Sequence, residues 1–154
     1  MSKVEARLKE LGIALPEPSS PIANYVNYKV VDGFVYISGK GPVSPERTVT
    51  GKVGADLTLE QGYEAARLTG ISLIAALKQA AGGDLDRVDQ IVKLLGFVAC
   101  ADGFYDAPKV INGCSDLLVE VFGDGGRHAR SAIPTHQLPL GIPVEIEMIA
   151  RLKD

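Results

Sequence analysis

Three charged side chains near the C-terminal end could do chemistry together. Arg130 stands in RHARSAIPTHQ, and Glu145 and Glu147 stand in PVEIEMIARL. A guanidinium is a planar fork that grips a carboxylate through two parallel hydrogen bonds. A carboxylate held nearby can orient a water and take its proton. Together such groups could fix an anionic substrate and hydrolyse it. The plainer alternative is a solvated strand face with an ion pair across it. Residue chemistry alone favours that alternative.

These side chains need a sheet to carry them. From Pro143, Val144, Ile146 and Met148 alternate with Glu145, Glu147 and Ile149, the signature of a strand with one face on a core. Glu145 and Glu147 then share the other face, because side chains repeat every second residue. Arg130 falls on a preceding strand, and the two strands are expected to form a hairpin across a Pro/Gly-rich connection. Further upstream, YVNYKVV and FVYISG flank Asp32-Gly33, a two-residue hairpin signal. IVKLLGFVAC is short and apolar enough for a buried strand.

Helices separate these strands. Val4, Leu8 and Leu11 predict a short helix over 3–11, closed by Gly12 and followed by LPEPSSP, where proline forbids regular structure. Thr58 and Gln61 form a capping box ahead of a long helix that ends at Gly82-Gly83. Gly62 and Gly70 inside it suit close approach of a neighbouring backbone. A second long helix starts near Asp106, with Pro108 in its first turn, and stops at Gly123. KGPVSPERTVTGKVGADLT between the second strand and the long helix reads as a loop, and its Gly51-Lys52 lacks phosphate-loop spacing. The order predicts an α+β fold: a mostly antiparallel sheet backed by two long helices. The opposite sheet face, half apolar, is expected to be buried in an oligomer.

Composition narrows the function. The chain has 154 residues, enough for one domain, and a net charge of -3. Without a basic run or any Trp, nucleic acid is not the expected partner. No apolar stretch is long enough to cross a bilayer, and the N-terminus lacks the apolar core of a secretory signal. Cys100 and Cys114 have neither metal-ligand spacing nor a CxxC arrangement and read as small core residues. A cytoplasmic location, without a metal or cofactor, is the expectation.

Three segments carry a resemblance: YVNYKVVDGFVYISGKGPV, LIAALKQAAGGDLDRV, and ARSAI followed by LPLGIPVEIEMIA. In this order they resemble the YjgF family, also called RidA (reactive intermediate deaminase A) or endoribonuclease L-PSP. The resemblance covers nearly the whole chain from Tyr25 onward. It implies one domain over 1–154, with residues 1–22 as an extension that shorter members lack. It also implies a fold like bacterial chorismate mutase, assembled as a homotrimer with ligand clefts between subunits. On this resemblance Arg130 holds a substrate carboxylate and Glu145 orients the attacking water. Tyr25, Ser38, Gly39, Asn112 and Ala132 line the cleft. Ala132 stands where the family often has Cys, and Pro134, Thr135 and His136 are bulkier than the small apolar residues expected after it. The chain thus looks like a divergent subgroup.

The implied activity is hydrolysis of enamines and imines of the 2-aminoacrylate type to 2-oxo acids and ammonia. Two alternatives stand beside it. A non-catalytic trimer that binds small carboxylates would keep Arg130 without needing Glu145. An endoribonuclease conflicts with the acidic charge. A chorismate mutase would need several cations for its dicarboxylate, and one Arg falls short. Glu147 reads as a solvated strand residue. Ser38 has no triad partner in sequence, and His128 and His136 read as structural or exposed.

Overall fold

The computed structural model describes residues 2–154. Its first element, α1 (Lys3–Glu10), is capped by the Ser2 hydroxyl, which accepts from the Glu5 N–H. Strands β1 (Tyr28–Val31) and β2 (Phe34–Lys40) follow, joined by Asp32 and Gly33 at φ 50° and 79°. Positive φ at both positions is what a two-residue hairpin turn with the twist of its strands requires. Helix α2 (Leu59–Ala80) opens on a complete capping box between Thr58 and Gln61. Next come β3 (Val88–Ala99), α3 (Ala107–Phe122), β4 (Ala129–Thr135) and β5 (Val144–Leu152).

These five strands make one sheet in the order β1-β2-β5-β3-β4. Every neighbouring pair is antiparallel except β3 and β4, which are parallel across α3. The expected hairpin of the Arg130 strand with the Glu145 strand is therefore not formed. Strand β5 slots between β2 and β3, and β3 separates it from β4. The physical reason is burial. Val144, Ile146, Met148 and Ala150 are almost wholly buried. A central position covers β5 on both edges, whereas β4, with Ile133 43% exposed, can serve as the edge.

Both long helices lie on one side of the sheet. Their apolar stripes, Leu73, Ile74 and Leu77 of α2 and Ile111, Leu117 and Leu118 of α3, meet Leu94, Ile146 and Met148. The helices approach backbone to backbone at Gly113, where a Cβ would overlap the Tyr63 carbonyl oxygen. At Gly70 a Cβ would press on the Leu117 and Cys114 side chains at 2.9 and 3.1 Å. Burial pushes the Cys114 thiol up to about 12, so it behaves as a core residue. The other sheet face is bare. It carries Phe34, Tyr36, Leu95, Phe97, Ile133 and Ile149 beside Glu145 and Glu147.

Candidate functional site

Register decides where each candidate points. Arg130 aligns with Leu94, which aligns with Met148, so its side chain leaves on the helix side of the edge strand. Glu145 aligns with Phe97 on the bare face. Two strand spacings and three residues of rise put their Cα atoms about 14 Å apart, on opposite sides of the sheet. Within one protomer they are two half-sites, and no ion pair joins them.

The Arg130 half-site rests on α3. The guanidinium donates from Nη1 to Ser115 Oγ at 3.1 Å and from Nη2 to the Pro108 carbonyl at 3.2 Å. Asn112 is half-buried and lies on the same stripe of α3, one turn from each of these residues. Ala132, two residues along β4, shares the face of Arg130 and packs against the core. Arg130 forms no ion pair with any acid among the described residues. Within the protomer its partners are neutral oxygens, not the carboxylate of the ion pair that the plainer reading supposes.

Two further residues belong to this half-site: Ser115, which the sequence reading does not single out, and His128, which it reads as structural or exposed. Ser115 Oγ lies 2.9 Å from His128 Nε2, and His128 Nδ1 lies 2.7 Å from the Gly126 carbonyl. A carbonyl only accepts, so Nδ1 carries the proton and Nε2 accepts from the Ser115 hydroxyl. The same hydroxyl oxygen accepts from Arg130. Burial holds the His128 imidazole below its ordinary value, with Arg130 adding to that. The signal is Asn112 and Ser115 at helical spacing beyond Pro108, half-buried polar side chains beside the apolar buried face of α3. The partners of Ser115 at 128 and 130 share one strand parity, but their contact crosses from α3 to β4.

The Glu145 half-site lies where β2 is irregular. Ile37 aligns with Met148 and Lys40 with Ile146, so an extra residue is accommodated at Ser38-Gly39. A Cβ on Gly39 would stand 2.5 Å from Glu145 Oε1, so glycine lets β2 pass the carboxylate without displacing it. Glu145 makes no side-chain hydrogen bond or ion pair among the described residues. Burial, then the like charge of Glu147, pushes its carboxyl above the usual range. The Ser38 hydroxyl is committed to the Val26 carbonyl at 2.7 Å, which fixes the segment leading from Tyr25. Tyr25 itself is 51% exposed. His136 is exposed, with Nδ1 3.4 Å from Lys52 Nζ.

The family described as "YjgF/chorismate mutase-like, putative endoribonuclease" matches residues 5–152. The chain belongs to the YjgF family. Protein TCP17 of Trypanosoma cruzi is 41% identical over 154 residues, covering 99% of this chain and 96% of its own. The crystal structure of Atu1372 from Agrobacterium tumefaciens, a protein of unknown function, superposes with a TM-score of 0.91 at 39% identity. That match covers 97% of this chain and 92% of the other. A second crystal structure, TdcF of E. coli with bound serine, gives a TM-score of 0.62 at 26% identity, over 89% and 94% of the two chains. The backbone thus follows Atu1372 more closely than TdcF. Among the described residues, no helix is long and apolar enough to cross a membrane.

Proposed function

We propose that this YjgF-family chain is an enamine/imine deaminase, working as a homotrimer whose clefts join the two half-sites from neighbouring protomers. One observation carries the reading: Arg130 is half-buried, held by two neutral oxygens, and paired with no carboxylate among the described residues. A cation preorganised in this way is suited to receive a substrate carboxylate. The bare sheet face supports assembly, because Tyr36 and Ile133 are 47% and 43% exposed beside Leu95, Phe97 and Ile149.

In the proposed reaction, a 2-aminoacrylate-type enamine tautomerises to its imine while Arg130 holds the carboxylate. Glu145 accepts a proton from a water, whose oxygen adds to the C=N carbon. Proton transfer to nitrogen and collapse of the carbinolamine release ammonia and leave a 2-oxo acid. The raised carboxyl of Glu145 brings its basicity closer to neutral pH, which suits a general base. Tyr25, Ser38, Gly39, Asn112 and Ala132 shape the cleft.

The test is a coupled assay with freshly generated imines from several amino acids. Wild type is expected to hydrolyse them, and Arg130→Ala and Glu145→Gln are expected to lose most of the rate. Light scattering across a dilution series checks assembly, and a monomer throughout would remove the shared site. A non-catalytic carboxylate binder is the second reading, favoured by the serine bound to TdcF. It predicts no hydrolysis by wild type and unchanged ligand affinity in Glu145→Gln.

A further inference from the structure

A cavity of about 480 Å³ opens beside β2, bordering the Glu145 half-site at Gly39. Its walls come from the linker at residues 16–20, from Ser72 and Ala75 of α2, and from the loop at 43–45. Tyr25, Asn27 and Lys40 complete it. Such a volume accommodates a small metabolite. Lys40 leaves β2 on the helix side because it aligns with Ile146, whose side chain is fully buried against the helices.

Lys40 is the unusual group here. It is half-buried, and burial alone pushes its ammonium below the ordinary value. Its Nζ donates to Asn27 Oδ1 at 2.7 Å, and Asn27 Nδ2 in turn donates to the Ser19 carbonyl at 2.6 Å. An ammonium has three N–H donors. No carboxylate among the described residues pairs with it, although Glu17 lines the same cavity. A desolvated cation held by one amide oxygen at a cavity wall is costly without an anion and favourable with one.

We propose that this cavity is a second ligand site beside the Glu145 half-site, sharing Tyr25 and Gly39 with it, which binds a small monocarboxylate through Lys40 rather than Arg130. Several features select that class. One cation balances one negative charge. Glu17 at the wall disfavours a dianion such as phosphate. Pro16, Pro18, Val43 and Pro45 give the cavity mostly apolar walls, which suit a short hydrocarbon body. The 16–20 segment forms one side, so the N-terminal extension has a role: it closes the site.

Calorimetric titration with butyrate tests this, with Arg130→Ala as the parent so that the proposed catalytic anchor is silent. The Arg130→Ala protein is expected to bind butyrate. Adding Lys40→Met should weaken that binding at least tenfold, and Lys40→Arg should restore most of it. No butyrate binding by the parent, or binding unchanged by Lys40→Met, would overturn the site. Inorganic phosphate binding as tightly as butyrate would overturn the monocarboxylate assignment. Circular dichroism melts check that each variant folds. Should Lys40→Met not fold, Ser72→Leu fills the cavity from α2 with Lys40 intact. It too should weaken butyrate at least tenfold, and unchanged binding there would refute the proposal.

Discussion

Replacing Arg130 separates an anchor from a structural ion pair, because the two roles put the cost in different places. The side chain donates to one serine hydroxyl and one exposed backbone carbonyl, both at the long end of hydrogen-bond distance. In Arg130→Ala the Ser115 hydroxyl keeps its bond to His128, and water can reach the Pro108 carbonyl. No buried carboxylate is orphaned. Net stability should therefore fall by only about 1 kcal/mol, the worth of ordinary hydrogen bonds. For a domain of this size that is a drop of about 2–4 °C in melting temperature. Affinity for a 2-oxo acid should fall by about 2–5 kcal/mol, the cost of removing one partner of a desolvated charge pair. That is about 30- to 5,000-fold. Arg130→Lys should recover part, since an ammonium keeps the charge and loses the fork. Scanning fluorimetry and calorimetry with 2-oxobutyrate on all three proteins read both quantities. Suppose instead that Arg130 pairs with an acid of a neighbouring protomer. Its removal would then cost about 3–5 kcal/mol of stability. A fall of more than about 10 °C with affinity unchanged would refute the anchor role.

Glu145→Gln should stabilise the fold and abolish function. The raised carboxyl means that the folded state binds the proton more tightly than the unfolded one, so ionised Glu145 costs stability at neutral pH. Like charges about 6.6 Å apart repel by about 0.6 kcal/mol in water, so a rise of about 1–3 °C at pH 7 is expected. The gain should shrink as pH falls through the raised range, while imine hydrolysis at pH 7 drops by about 100-fold or more. His128 has the opposite linkage: its folded value is depressed, so the stability it contributes is full above its unfolded value of about 6.5 and lost as pH falls through the lower folded value. Melting curves from pH 7.5 downward should show His128→Gln with a shallower loss than wild type, and equal slopes would count against the neutral-imidazole assignment. Gly113→Ala should cost about 2 kcal/mol net, or about 4–8 °C, because its Cβ has no room against the α2 backbone. An unchanged melt would mean that the two helices separate freely.

Local chemistry makes much of the fold legible in the sequence. The Thr58/Gln61 capping box, the Asp32-Gly33 turn, Pro108 at the start of α3 and Gly123 after it each act within a few residues, so sequence spacing reveals them. The alternation in β5 likewise announced its two faces. The partner of β4 was not legible in that way. Pairing is decided by which strand needs burial on both edges, a competition among segments far apart in sequence. Adjacency in sequence made a β4–β5 hairpin the natural expectation, and β3 took the place of β5. The same displacement hid the orientation of Arg130 and its link through Ser115 to His128. Lys40 escaped notice because the irregularity at Ser38-Gly39 shifts the parity of β2 just before it. A strict period-2 count assigns that side chain to the wrong face.

The central place of β5 has a consequence for how the protein is made. This strand is synthesised after every other strand, yet it fills the gap between β2 and β3. Until it docks, two inner strand edges stand open, and the apolar helix layer above the gap lacks Val144, Ile146 and Met148. The growing chain must hold the α2 and α3 layer together without its keystone, with unpaired edges that could recruit another chain. Contacts between β2 and β5 also span most of the sequence, which raises contact order and slows the closing step. A nascent or truncated form lacking β5 is therefore the species most exposed to aggregation and chaperone capture.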